Sequence, residues 1–156
     1  MNLIRKFSIG LVLAILAFGV TGSASLAPLN KFDEFGDSNC EDEMAHLDNF
    51  AVQLQNEPSA RGVIFFYGGR RFRGRLPKRG EAAARAARIK PYLVQRRGLP
   101  TDQVIVIDGG FREKWQVELW VVPPGATMPT AQPAMPIEKI HFRKGKLNPR
   151  DYQCRI

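Results

Sequence analysis

The sequence predicts an α/β fold, a two-layer α+β sandwich in which a mixed sheet of about four strands carries two helices on one face. Two continuous apolar segments, residues 63–67 and 104–107, are typical of strands that are buried on both sides. Each follows a segment with helical spacing of apolar residues, and a strictly alternating segment, 115–122, comes last. Buried strands separated by amphipathic helices imply crossovers that place both helices on the same face of the sheet.

The first helix is predicted over residues 41–56. Ser38 stands three residues before Glu41, which is the spacing of a capping box, so we expect Ser38 to cap this helix. An alternating stretch over 31–35 precedes it and predicts an edge strand. The apolar positions of the helix recur at helical spacing, at Met44, Leu47, Phe50, Ala51 and Leu54.

The second helix is predicted over residues 80–97, where an alanine-rich composition favours helicity. Pro91 predicts a kink or a shortened last turn, and Gly98 predicts a left-handed cap at the C-terminus. Glycine pairs at 68–69 and 109–110 follow the two buried apolar segments. We expect these pairs to end the two strands.

The sequence pattern also predicts the last strand and the organisation of the C-terminal third of the chain. Residues 123–136, rich in Pro, Ala and Thr, predict an extended linker or wrap, and 137–143 predict a short strand. Residues 137–156 form a basic tail that we expect to pack back on the domain. The alternation of 115–122 predicts one face with Trp115, Val117, Leu119 and Val121 and another with Gln116, Glu118, Trp120 and Val122.

The N-terminal 25 residues have the layout of a secretory signal peptide. Arg5 and Lys6 give a basic start, an apolar run covers 9–20, and small residues occupy 21–25. The apolar run is short for a membrane anchor, which is the alternative interpretation. We therefore expect a periplasmic or secreted protein that is not an integral membrane protein after cleavage, with one domain over 26–122.

The chain has two cysteines, Cys40 and Cys154. In an oxidising compartment an even number of cysteines favours a disulfide, here one that closes nearly the whole domain. Zinc bound by Cys40, His46, His141 and Cys154 is the alternative, but no close pair of ligands supports it. No cofactor is predicted.

A basic loop follows the first buried strand. Guanidinium groups bind carboxylates and phosphates through paired hydrogen bonds, so the loop is a candidate site for an anionic polymer; a solvated surface loop is the alternative. The chain carries a formal net charge of +8, of which Arg5 and Lys6 account for two. Export disfavours nucleic acid as the partner. The loop contains Arg70, Arg71, Arg73, Arg75, Lys78 and Arg79.

Asp108 ends the second buried segment. If the two strands are parallel, Asp108 lies at the edge of the sheet where open α/β sheets bind ligands. A turn-forming role is the alternative interpretation of this aspartate.

Several short motifs between Phe32 and Val122 resemble the OmpA-like C-terminal domain. Residues 31–35 are similar to its opening strand, 63–68 to the strand before its ligand loop, and 117–119 to its last strand. Arg85-Ala86 resembles the arginine-alanine pair of that family, and 98–100 resemble its helix-to-strand turn.

This resemblance implies a domain that binds the diaminopimelate of peptidoglycan, with Arg85 on a carboxylate. The family's aspartate, which holds the ammonium group, falls on Gly69 or Arg70, so that contact is not implied.

The sequence therefore predicts a non-catalytic binding module for anionic cell-envelope material, peptidoglycan first. The alternative is a structural or interaction domain that has lost ligand binding and contacts an envelope protein through Trp120 and residues 123–136. No enzyme is predicted, because His46 and His141 lack a serine or cysteine pattern that would orient them.

Overall fold

The computed structural model describes residues 29–154, so the predicted signal segment lies outside the described residues. Four strands and a helical layer form the domain, and two short 3₁₀ turns follow. The strands are β1 (Lys31–Phe35), β2 (Arg61–Gly69), β3 (Val104–Arg112) and β4 (Gln116–Val122). The helices are α1 (Cys40–Asn56), α2 (Glu81–Ala86) and α3 (Ile89–Pro91), which continues as a π-helical turn over Tyr92–Arg96. The 3₁₀ turns are Ile137–Lys139 and Pro149–Tyr152.

The strands form one mixed sheet in the order β1-β4-β2-β3. β2 and β3 are parallel, whereas β4 is antiparallel to both of its neighbours, β2 and β1. The helices cover one face of this sheet, so the predicted two-layer sandwich is confirmed. β1 lies at an edge, as the alternation of its residues predicted.

The prediction that glycine pairs end the strands is confirmed for β2, whose last residue is Gly69, and is wrong for β3. β3 continues to Arg112 after a bulge at Gly109. A Cβ atom on Gly68 would lie 2.6 Å from Cε1 of Phe111. The glycine is therefore required by the close approach of an aromatic ring on the neighbouring strand, not by a turn.

The alternation of β4 is confirmed, and different parts of the chain pack on the two faces of the sheet. Trp115, Val117 and Leu119 pack with the helices. On the opposite face, Trp120 and Val122 pack with side chains of residues 123–136. We call residues 123–136 the proline-rich wrap, because they cross this face of the sheet.

Helix α1 begins one residue earlier than predicted, and its cap is Asn39 rather than Ser38. The side-chain oxygen of Asn39 accepts a hydrogen bond of 3.0 Å from the backbone N–H of Asp42. Asn39 has the extended backbone of an N-cap, and its amide oxygen satisfies one of the free N–H groups of the first turn.

The second helix is not continuous over 80–97, because it is interrupted at Ala87 and Arg88. Pro91 has no N–H with which to bind the carbonyl of Ala87, so the α-helical ladder breaks one turn before the proline. The left-handed cap is confirmed, since Gly98 has φ of +73°. The strand predicted over 137–143 is wrong; a 3₁₀ turn, Ile137–Lys139, begins this segment.

The predicted disulfide is confirmed: Cys40 and Cys154 are bonded, with their Cα atoms 5.7 Å apart. The bridge joins the first residue of α1 to the end of the C-terminal tail. Among the helices of residues 29–154, none has both the length and the apolar character that crossing a bilayer requires.

Candidate functional site

The basic loop after β2 is a tight hairpin. Phe72 and Arg75 exchange two backbone hydrogen bonds, of 2.8 and 3.0 Å, and Arg73 at the tip has φ of +47° beside Gly74 at +76°. Arg70, Arg71, Arg73 and Arg75 are all exposed. The hairpin therefore turns the Phe72 ring inward and holds its guanidinium groups in solvent.

Three of these arginines have weak partners within the chain. Arg70 lies 3.5 Å from the carboxylate of Glu113, and Arg71 donates to the carbonyl of Gly74 at 3.0 Å. The Nε atom of Arg73 lies 3.4 Å from the carboxylate of Asp37. Exposed pairs of this kind contribute about 0–1 kcal/mol each, so an incoming anion can replace them at small cost.

The C-terminal tail lies directly against this loop. Arg143 donates from its backbone N–H to Pro77 and from Nε to Leu76, both at 2.9 Å, and Lys78 donates to the carbonyl of Lys146 at 2.6 Å. The contact joins two basic segments, 70–79 and 139–150, that contain no acidic residue.

We call the exposed cations of these two segments the basic rim. They are Arg70, Arg71, Arg73, Arg75, Arg79, Lys139, Arg143, Lys144, Lys146 and Arg150. Sequence reasoning identified the loop but did not join the tail to it, although the disulfide at Cys154 was a signal that the tail returns.

Arg85 lies beneath the rim and is largely buried, with 12% of its side chain exposed. Its guanidinium is 2.9 Å from the carboxylate of Glu81, one helical turn earlier, and its central carbon is 3.5 Å from the centre of the Phe72 ring. Burial lowers the pKa of Arg85 from its ordinary value, and the hydrogen bond that Arg85 donates to Glu81 opposes that change. The structure thus brings Arg85 to the same end of β2 as the loop but gives it an internal carboxylate.

Arg88 is a second buried guanidinium at this end, and sequence reasoning missed it. Its side chain is 13% exposed and forms a two-pronged ion pair with Glu43 of α1. It also donates to the backbone carbonyl of Tyr152, at 2.6 Å. Arg85 and Arg88 line one narrow cleft together with Phe72 and Trp115.

Asp108 lines a different cleft. It is exposed on the helix side of β3, where it borders an apolar hollow of about 250 Å³ between β3 and the alanines of α2. Its carboxylate accepts a hydrogen bond of 2.9 Å from the N–H of Gly110. This contact, two residues along the chain, is the turn-forming geometry, and the structure does not bring Asp108 into the cleft of Arg85.

A buried polar cluster on the opposite face of the sheet also escaped sequence reasoning. The carboxylate of Glu118, in a residue only 6% exposed, accepts from Arg112 at 2.9 Å and from Lys31 and the Tyr67 hydroxyl at 3.3 Å. Trp120 donates to it from Nε1, also at 3.3 Å.

The charged partners of Glu118 determine its titration. Burial acts to raise the pKa of Glu118, but the hydrogen bonds from Arg112 and Lys31 outweigh it and hold the pKa below its ordinary value. Burial also raises the pKa of Tyr67.

This cluster fastens the proline-rich wrap to the sheet. Arg112 donates to the carbonyl of Gln132 at 3.2 Å, and the Tyr67 hydroxyl accepts from the N–H of Gln132 at 3.2 Å. The Arg112 guanidinium lies 3.6 Å from the centre of the Tyr67 ring. The arrangement satisfies a buried carboxylate and orders the wrap.

The contacts of His46 and of the two cysteines do not favour a catalytic site or a zinc site. His46 Nδ1 lies 2.6 Å from the carboxylate of Asp33, and its ring stacks on Phe35 with centroids 4.7 Å apart. The two sulfur atoms are bonded to each other and are not available as zinc ligands. Within residues 29–154 there is no group of three or more His, Cys, Asp or Glu side chains placed to hold a metal ion.

No protein-family model, curated protein or solved structure matches this chain. The basic rim and the arginine pair beneath it are the features of the structure that point to a function.

Proposed function

We propose that this chain is a non-catalytic exported binding module whose basic rim takes anionic polymers of the cell envelope, with peptidoglycan carboxylates as the first candidate. The observation that carries the proposal is the contact between two acid-free basic segments, which concentrates exposed cations at one end of the domain. The predicted signal peptide and the disulfide support an oxidising, extracytoplasmic setting.

A repeating polymer suits this surface better than a small ligand does. The rim cations are spread along two segments, and the ion pairs of Arg70 and Arg73 within the chain are exposed and weak. A polymer that presents many carboxylates engages several of these cations at once, so weak individual contacts add up to stable binding. Such binding decreases with salt, because the charges are exposed and therefore screened.

The test is co-sedimentation of the purified protein with peptidoglycan sacculi over a range of salt concentrations. The variant is Arg75→Glu with Lys144→Glu, which reverses one charge on each segment of the rim. The matched control is Arg61→Glu with Arg96→Glu, which changes the net charge equally at exposed positions outside the rim.

We expect the rim variant to bind about tenfold more weakly, since each reversal removes an attraction of up to about 1 kcal/mol and adds a repulsion. The control variant should bind like the unmodified protein, and salt should weaken both. Equal loss in the two variants would show a non-specific effect of net charge and would reject the proposal.

A second candidate is an interaction domain that no longer binds a ligand. The observation that favours it is the Arg85–Glu81 pair, because an internal carboxylate occupies the arginine that the resemblance assigns to ligand binding. Trp120 is partly buried beneath the proline-rich wrap, so a partner would meet the outer surface of the wrap first. No sacculus binding by any variant, with saturable binding of one purified envelope protein that substitutions in 123–136 abolish, would establish this alternative.

A further inference from the structure

The C-terminal tail covers the buried arginine pair with Tyr152. This residue is 6% exposed; its ring lies 4.9 Å from the Arg85 guanidinium, and its carbonyl accepts the hydrogen bond from Arg88. Tyr152 belongs to a 3₁₀ turn, Pro149–Tyr152, that packs on α2. Tyr152 therefore covers the pair on the side of the tail, and Arg88 also lines the open groove beside Cys154.

The segment that carries Tyr152 is covalently attached two residues later, at Cys154. Cys154 is bonded to Cys40 at the start of α1, so the bridge limits how far Tyr152 can move from the arginine pair. Without the bridge, Tyr152 is held in place by non-covalent contacts alone. A short segment that is held by few buried contacts opens locally at a free energy well below that of global unfolding.

The bridge is accessible to a reductant. Both cysteines are partly exposed, and Cys154 lines an open groove of about 350 Å³ together with Met44, Pro91 and Gln95. The groove gives a thiolate a route towards Cys154, and the sulfur of Cys40 would depart at the N-terminus of a 17-residue helix. The helix dipole there favours a departing thiolate, and Glu41 and Asp42 of the same turn oppose it.

We propose that the Cys40–Cys154 disulfide is a redox latch: it holds Tyr152 over Arg85 and Arg88, and its reduction opens the arginine pair to carboxylates. The inference rests on the proposed function, since it adds a controlled carboxylate site beneath the basic rim.

The reductant is a dithiol, either a protein dithiol or a small molecule. One of its thiolates attacks Cys154 Sγ, the S–S bond breaks, and Cys40 leaves as a thiolate that takes up a proton. The second thiol of the reductant then resolves the mixed disulfide. Two electrons pass to the bridge, two cysteine thiols form, and the dithiol leaves as a disulfide.

The test measures the exposure of the arginines without any ligand. An arginine-selective dicarbonyl, phenylglyoxal, labels the full chain before and after reduction with a dithiol, and mass spectrometry gives the rate at each arginine. Exposed Arg61 is the internal control. Tyr152→Ala with the bridge intact removes the cover alone, and Cys40→Ser with Cys154→Ser removes the bridge alone.

We expect reduction to raise the labelling rates of Arg85 and Arg88 about tenfold, which corresponds to a decrease of roughly 1.4 kcal/mol in the free energy of local opening. Both variants should label as fast as the reduced protein, with Arg61 unchanged. Citrate, as a soluble carboxylate probe, should slow the labelling of Arg85 and Arg88 in the reduced protein.

Three results would overturn the latch. The rates could stay the same on reduction while Tyr152→Ala raises them, in which case the bridge does not control the cover. The rise could accompany loss of the near-UV circular dichroism signal, in which case the bridge holds the whole domain. Citrate could give no protection, in which case the opened cleft is not a carboxylate site. Because labelling uses no polymer, a failure to bind sacculi would reject the proposed function and leave the latch standing.

Discussion

Replacing Glu118 by Gln should destabilise the domain more than any other neutralisation of an acid on the sheet. The substitution keeps the shape of the side chain but removes the charge that Arg112 and Lys31 share. Breaking a buried ion pair costs about 3–5 kcal/mol when the remaining charge stays uncompensated. The Arg112 and Lys31 side chains are 18% and 30% exposed, so water recovers part of that cost, and we expect a loss of about 2–3 kcal/mol.

The assay is urea unfolding followed by tryptophan fluorescence, with the free energy of unfolding extrapolated to water. The matched control is Glu113→Gln, because Glu113 is 66% exposed and lies 3.5 Å from Arg70. We expect the control to change the stability by less than about 0.5 kcal/mol. A loss below that figure for Glu118→Gln, or equal losses in the two variants, would refute the reasoning that burial decides the value of the pair.

The pH dependence of stability gives an independent check on the same carboxylate. The pKa of Glu118 in the folded protein lies below the ordinary value of 4.5. Its contribution is therefore fully present above pH 4.5 and is lost as the pH falls through the lowered folded-state pKa. Below pH 4.5 the unmodified protein should lose stability more steeply than Glu118→Gln does, and parallel curves would contradict the assignment.

Three further predictions concern the fold. Asn39→Ala should lower the free energy of unfolding by about 1 kcal/mol and Ser38→Ala should leave it nearly unchanged, as urea denaturation can show; the reverse order would restore Ser38 as the cap. Gly68→Ala should destabilise by roughly 1–3 kcal/mol because the added methyl group overpacks the sheet; a melting temperature equal to that of the parent would contradict this. Removing the bridge with Cys40→Ser and Cys154→Ser should cost about 4–5 kcal/mol, since it spans 114 residues; equal urea midpoints for the oxidised parent and the variant would contradict the loop-closure argument.

The features of the fold that follow from local patterns were predictable. The alternation of 115–122 identified both faces of β4, and the spacing of apolar residues identified α1. The glycine pairs could not be interpreted in the same way, because a glycine that ends a strand and one that admits a ring look alike in sequence. Only the register of β3 against β2 places Phe111 beside Gly68.

The Glu118 cluster shows a second limit of sequence reasoning. Lys31 and Tyr67 lie 87 and 51 positions from Glu118 and reach it from two other strands, so no local pattern links them. For Arg85, by contrast, a local signal was available. Glu81 stands four residues earlier on the same helix, which is the spacing of a helical ion pair, and the structure contains that pair.

Burial divides the arginines of this end of the domain into two classes, and under the proposed function this division sets the order in which a polymer would contact them. Arg70 and Arg73 have exposed partners whose loss costs at most about 1 kcal/mol each, so a polymer can recruit them at once. Arg85 and Arg88 are largely buried with their carboxylates, and removing one member of such a pair costs about 3–5 kcal/mol. An outside carboxylate cannot supply that energy. Under the proposed latch it would contact both guanidiniums only after Tyr152 has moved, with Glu81 and Glu43 still in place. The first contact is therefore expected at the rim, and any binding at the buried pair should depend on the state of the tail.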